Sequence, residues 1–153
     1  MNLNRSSGTW RYVALVVLGL NAALLGVWAL FAPASFYRSF PGGGRSWVSV
    51  DGPYNEHLVR DVGGLNLALL VVTIAALLLR QRVVTRIAAL AWLPFAAPHV
   101  VYHIAHADDL ASSADKVASI GGLLLVVLFA LALAISPSSR ANGHVEAIDG
   151  SLQ

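Results

Sequence analysis

Four apolar runs, each long enough to cross a lipid bilayer as a helix, constrain this chain more than any other feature of its sequence. They extend over Tyr12–Ala32, Val62–Leu79, Val83–Ala105 and Val117–Ser136. A helix needs about 20 apolar residues to span the hydrocarbon core of a membrane. Helices satisfy all of their own backbone polar groups, as lipid requires. The pattern therefore predicts an all-α integral membrane protein, an antiparallel four-helix bundle with four transmembrane helices.

The composition agrees with a membrane protein and narrows its partners. Of the 153 residues, 57% are hydrophobic and 12% are charged, which is typical of a chain surrounded by lipid. The sequence has no cysteine, which excludes disulfides, thiolate metal ligands and cysteine nucleophiles. Its net charge of +2 comes with scattered arginines, which is not the footprint of nucleic-acid binding. The lipid bilayer is thus the predicted partner.

The arginines predict how the bundle lies in the membrane. Six of the nine precede the first run, cluster around the connection between the second and third, or follow the fourth: Arg5, Arg11, Arg80, Arg82, Arg86 and Arg140. The opposite side has Arg38, Arg45, Arg60 and Lys116, but six acidic residues accompany them. Because cytoplasmic segments carry the excess of basic residues, we expect a plasma-membrane protein with both termini in the cytoplasm. Residues 1–11 are then a cytoplasmic N-terminus, 12–136 the transmembrane domain with an extracytoplasmic loop at 33–58, and 137–153 a disordered cytoplasmic tail.

The extracytoplasmic loop is long for a helical bundle, and long loops are usually either functional or disordered. It carries aromatic residues typical of a membrane interface, Phe36, Tyr37, Phe40, Trp47 and Tyr54. We therefore expect an ordered cap over the mouth of the bundle.

Three histidines mark the extracytoplasmic end of the third run. His99, His103 and His106 have i, i+4, i+7 spacing, which places them within roughly 60° of one another on one helix face. Ionisable residues inside a membrane helix are costly and usually functional. This stripe is therefore the strongest candidate for chemistry in the chain.

A second polar pair, His57 and Asp61, stands at the entrance of the second run, again four residues apart. The second and third runs are joined by a short connection and must be antiparallel. This topology places His57 and Asp61 at nearly the same depth as the three histidines. If the two faces meet, four histidines and a carboxylate form one site.

Such a site predicts a bound transition metal. The ligands would be His57, Asp61, His99 and His103, with His106 completing the set. Nitrogen and oxygen ligands without sulfur suit zinc, iron or copper(II). A metal with an open coordination position could activate water or oxygen on a lipid-like substrate that arrives from the bilayer.

Three other interpretations stay open. Haem could lie between His57 and one histidine of the third run, for electron transfer. His57, Asp61, His99 and His103 could act without a cofactor as general acids and bases on an apolar substrate, as in an isomerase or cyclase. The protein could also be a non-catalytic accessory subunit whose histidines pack or sense pH. The substrate, the oligomeric state and whether the protein is an enzyme stay open.

Three segments resemble a known group of proteins. They are Phe36–Pro41, Gly52–Gly64 and Pro98–His103. In these segments the chain resembles a group of small four-helix membrane proteins common in actinobacteria, similar in layout to the DoxX-like proteins. The resemblance extends over about Tyr12 to Ser136. It implies the four-helix fold and the same polar positions, without implying an activity.

Overall fold

The computed structural model of the protein describes residues 3–136 and is helical throughout apart from its connections. The helices are α1 (Leu3–Phe31), α2 (Pro33–Ser39), α3 (Glu56–Leu79), α4 (Arg82–Ala105) and α5 (Ser113–Ile135). Within the described residues, α1 from Gly8 onward, α3, α4 and α5 are long and apolar enough to cross a membrane. The all-α fold with four transmembrane helices is thereby confirmed. The tail predicted to be disordered, 137–153, lies outside the described residues.

The helices extend beyond the apolar runs that predicted them. Helix α1 begins at Leu3 and α3 begins at Glu56, each earlier than the apolar run it contains. Asn55 caps α3, because its side chain accepts a hydrogen bond from the Leu58 N–H at 3.2 Å. Hydropathy thus marked the part of each helix that lies in lipid, while capping residues decide where a helix starts.

The four long helices are arranged in a ring. Helix α1 packs mainly against α3 and α4 mainly against α5, while α3 and α4 join the two pairs. Glycine permits the close approach of α1 and α3. A Cβ at Gly63 would lie 2.5 Å from Leu30 N, and one at Gly26 would lie 2.7 Å from a side-chain carbon of Leu67. Small residues at such contacts are how membrane helices gain packing without a hydrophobic driving force.

A polar contact at the centre of the bundle links α3 to α4. Trp92 and Thr73 are fully buried. The Trp92 indole donates to Thr73 Oγ1 at 3.0 Å, and Thr73 Oγ1 donates in turn to the Leu69 carbonyl at 2.7 Å. Large apolar side chains lie on the outside, with Leu78, Val117 and Ile135 between 73% and 76% exposed. An apolar outer surface of this kind fits a lipid environment.

The loop between α1 and α3 has a defined fold. It contains α2 and a short 3-10 turn at Ser49–Asp51, and the Trp47 N–H donates to the Phe40 carbonyl at 2.8 Å. The rings of Phe40 and Trp47 meet edge to face, with centroids 6.0 Å apart. These contacts fold the loop back over one end of the bundle, where it reaches the start of α5.

Candidate functional site

Asp115, in the first turn of α5, holds the loop in place. Its carboxylate accepts hydrogen bonds from Ser112 Oγ at 2.7 Å and from the Trp47 indole at 3.0 Å. Arg45 completes the set with an ion pair of 2.8 Å. The Asp115 side chain is only 12% exposed. Because Trp47 and Arg45 belong to the loop, this carboxylate links the loop to α5. We call these four residues the loop anchor.

The anchor also explains how α5 begins. Ser112 is the N-cap residue, and its hydroxyl accepts from the Asp115 N–H at 3.1 Å. The Asp115 carboxylate in turn accepts a hydrogen bond from the Ser112 hydroxyl. This reciprocal pair satisfies a backbone N–H that a helix start leaves open. The same carboxylate therefore serves the helix and the loop.

Two of the three histidines of the predicted stripe, both on α4, form one polar group. The rings of His99 and His103 are stacked, with centroids 4.9 Å apart and an interplanar angle of 15°. His103 Nδ1 lies 3.4 Å from Ser119 Oγ, across the interface between α4 and α5. Both imidazoles are partly buried, and Ser119 is buried. We call His99, His103 and Ser119 the histidine group.

The deeper side of this group is apolar. Phe95, one turn before His99 on α4, meets its ring edge to face at 5.2 Å. The histidine group therefore lies between the apolar core and the polar loop. A ligand with an apolar body and a polar end would match such a boundary.

Asp51 of the 3-10 turn is near enough to His103 for their charges to influence each other. Partial burial raises the pKa of the Asp51 carboxyl above its ordinary value of 3.8, and the nearby His103 opposes this rise. Asp109 raises it further, and His106 opposes it. These influences show that the loop and the end of α4 share one electrostatic environment.

His106 has a separate, local role. It is the C-cap residue of α4, and its Nδ1 lies 2.9 Å from the Tyr102 carbonyl of its own helix. Its ring stacks on that of Tyr102 at 4.1 Å. The side chain is exposed. His106 therefore caps the end of α4 rather than extending the stack of His99 and His103.

The second predicted pair lies elsewhere. His57 Nε2 is 3.2 Å from Asp61 Oδ2, and their side chains are 83% and 61% exposed. The residues of α3 that face the bundle interior include Val59, Gly63 and Asn66. His57 and Asp61 are each two positions from Val59, which is about 200° around the helix, so they lie on the face opposite these interior residues. Their side chains therefore lie on the outer face of α3, away from its packed face.

As a result, the predicted ligands are not brought together as one set. Within residues 3–136, no three His, Cys, Asp or Glu side chains are placed to hold a single metal ion. The structure pairs His57 with Asp61 and stacks His99 on His103, and it ties His106 to Tyr102. Hence these side chains do not fit a single three-ligand metal centre in this arrangement.

Three residues of this region were missed by the sequence analysis. Asp51 and Ser119 carry no motif of their own, and the loop that Asp115 binds lies far along the chain from it. The Trp47–Asp115 contact joins residues 68 positions apart. The one local signal was the serine and aspartate at the start of the fourth run, which predicts a helix cap but not its loop partners.

Comparison of the chain with protein-family models, with curated proteins and with solved structures found no match.

Proposed function

We propose that this integral membrane protein carries out acid–base chemistry on a lipid-like small molecule, with the histidine group as the reactive site. The observation that carries the proposal is the placement of His103. Its imidazole is stacked on His99 and lies 3.4 Å from Ser119 Oγ, at the boundary between core and loop.

The chemistry follows from the groups that meet there. A neutral imidazole has one nitrogen that accepts a proton and one that donates. Histidine is also the side chain suited to taking and returning protons near neutral pH. Ser119 can orient one nitrogen of His103, leaving the other for a ligand. Removal of a proton from one carbon and its return at another would isomerise a substrate without an oxidant or reductant.

The substrate class follows from the surroundings. The bundle exposes an apolar surface to lipid, so an apolar molecule can reach the end of α4 from the bilayer. The loop anchor ties the loop that carries Asp51 to the start of α5. A lipid-like molecule with a polar end would place that end near His103 and its apolar part against Phe95.

Further parts of the proposal concern orientation and family. Arg80, Arg82 and Arg86 lie at the end of the bundle opposite the loop. The positive-inside rule supports placing that end in the cytoplasm, with both termini, and placing the loop outside the plasma membrane. The resemblance to the actinobacterial four-helix proteins stays a prediction.

Binding of zinc, iron, copper or haem also stays a prediction. Among the predicted ligands, His99 and His103 are stacked as one pair, and His57 and Asp61 form a second, exposed pair. Metal analysis by mass spectrometry and an absorption spectrum would test this on the detergent-purified protein. A stoichiometric metal or haem that is lost in His99→Ala/His103→Ala would replace the cofactor-free proposal.

Solvent deuterium provides a test that does not require a known substrate. The protein in vesicles made from the host's lipid extract is incubated in deuterated water, and the lipids are analysed by mass spectrometry. We expect the wild type and His57→Gln to incorporate deuterium into the same lipid species, and His103→Gln to lose this incorporation. His57→Gln is the matched control, because His57 is exposed and outside the histidine group.

Two outcomes would contradict the proposal. Incorporation that survives in His103→Gln would place the chemistry elsewhere. Absence of incorporation in the wild type, with weaker assembly of the histidine variants, would favour a non-catalytic accessory subunit.

A further inference from the structure

The end of the bundle opposite the loop contains a cavity of about 520 Å³ between the long helices. Four arginines line it: Arg11 of α1, Arg80 between α3 and α4, and Arg82 and Arg86 of α4. Among the described residues, no aspartate or glutamate lines it. Four positive charges around one cavity, with no acidic residue among its described walls, favour an anionic occupant.

Two of these arginines have backbone positions fixed by the short connection between α3 and α4. Arg80 is the C-cap residue of α3 in the left-handed conformation, at φ 53°, and Arg82 is the first residue of α4. One turn later, Arg86 donates to the Ser136 carbonyl at the end of α5 with a distance of 3.1 Å. The cluster is therefore built into the helix ends rather than carried on a loose loop.

The start of α4 adds to the positive potential. Its N-cap residue, Gln81, makes no side-chain capping hydrogen bond, and residues of the first turns, Arg82 and Thr85, line the cavity. The N-terminus of a 24-residue helix carries a partial positive charge, and its N–H groups can bind an anion.

The deeper walls of the cavity are apolar. Leu15, Ala76 and Leu133 line it and are each at most 5% exposed. Tyr12 lies at its rim and is 54% exposed. The cavity thus combines a basic mouth with an apolar floor, at the level where a membrane protein meets lipid headgroups.

We propose that this cavity binds a phosphate group, supplied by the headgroup of an anionic phospholipid. Arginine suits this role because its planar fork of N–H donors matches phosphate oxygens. The apolar floor would accept the part of the lipid next to the phosphate, whereas a soluble phosphate would leave it empty. This site is independent of the histidine group at the other end of the bundle.

Native mass spectrometry of the full chain in detergent can count bound lipids directly. The probes are phosphatidylglycerol and phosphatidylcholine at equal concentration, with inorganic phosphate as the soluble competitor. We expect phosphatidylglycerol to bind at least tenfold more tightly than phosphatidylcholine. Replacing Arg80 and Arg82 by glutamine should weaken its binding about fivefold for each arginine, or about 25-fold for both.

Two further variants test whether a loss of lipid binding comes from this site, rather than from a change in overall charge or from misfolding. Arg38→Gln removes one positive charge from the exposed surface of α2 at the loop end and should leave lipid binding unchanged. Arg80→Lys/Arg82→Lys keeps both charges but removes the planar fork of donors, so it should weaken phosphatidylglycerol binding less than the double glutamine variant does. A loss as large as that of the glutamine variant would show that charge contributes nothing and would contradict the proposal.

Each result decides a point. Selective binding of phosphatidylglycerol that withstands millimolar inorganic phosphate supports the lipid site, and displacement by phosphate assigns the site to a soluble phosphate compound. Equal binding of the two lipids by the wild type would overturn the proposal. An equal loss in Arg38→Gln and Arg82→Gln would overturn it too.

Discussion

Replacing Asp115 by alanine should release the loop from α5 while leaving the transmembrane helices folded. The Asp115 carboxylate accepts from the Trp47 indole and pairs with Arg45. In the alanine variant Ser112 Oγ can still cap the Asp115 backbone N–H, so the start of α5 keeps its main hydrogen bond. The loop loses both of its links to this carboxylate.

The size of the effect follows from these contacts. A hydrogen bond to a charged group contributes about 1.5–3 kcal/mol. The Arg45 side chain is 51% exposed, so its ion pair adds no more than about 1 kcal/mol. Removing a carboxylate that is only 12% exposed also recovers part of its desolvation cost. We therefore expect loop opening to become easier by about 2–3 kcal/mol, which is roughly 30- to 150-fold in its equilibrium constant.

Hydrogen exchange followed by mass spectrometry measures this opening in detergent. The reporter is the loop peptide that contains the Trp47 N–H, which donates to the Phe40 carbonyl. Its exchange should accelerate by the factor above, while peptides from the middle of α3 should not change. Asp108→Ala is the matched control, because Asp108 is fully exposed and pairs with Lys116 at 2.6 Å. Unchanged exchange in the Asp115 variant would refute the account of the loop anchor.

Other perturbations test the packing and the loop electrostatics. Gly63→Ala should lower the free energy of unfolding by about 1–3 kcal/mol, because the new Cβ would lie 2.5 Å from a backbone nitrogen of α1. Gly64→Ala is the control and should leave the free energy of unfolding unchanged, because no atom lies within 4 Å of its new Cβ. Thr73→Val should cost about 1–3 kcal/mol by leaving the buried Trp92 indole without its acceptor, and adding Trp92→Phe should cost less than the two separate effects combined. Partial desolvation raises the pKa of the exposed Asp51 side chain above 3.8, so the folded loop holds this proton to higher pH than the unfolded chain does. Loop stability should therefore fall as pH rises from 3.8 through the raised pKa, Asp51→Asn should remove this dependence, and carboxyl NMR of the wild type should find the titration above 3.8.

The sequence predicted the four transmembrane helices because the bilayer imposes their length and hydrophobicity. It did not predict which face of α3 points inward. In a membrane helix the residues that face lipid and those that face neighbouring helices are both apolar, so periodicity gives little guidance. The position of His57 and Asp61 around α3, away from Val59 and Gly63, therefore could not be inferred from the apolar pattern.

The candidate site was predictable to the extent that it lies within one helix. The spacing of His99 and His103 predicts neighbouring side chains on one face of α4, and the structure stacks their rings. Ser119 and Asp51 come from other elements, and their approach to α4 depends on tertiary packing. For the loop, the aromatic residues indicated an interface, whereas the link from Trp47 to α5 spans 68 positions and has no local signal.

The most direct test of the account is the reactivity of each histidine toward diethyl pyrocarbonate, read out by peptide mass spectrometry. His103 is partly buried beside Ser119, whereas His57 lies on an exposed face, 83% open to solvent. We therefore expect fast modification of His57 and slow modification of His103 in the wild type. Asp115→Ala should accelerate modification of His103 at least tenfold and leave His57 within twofold. Equal rates for the two histidines, or acceleration of both together, would contradict the separation of the histidine group from the His57–Asp61 pair.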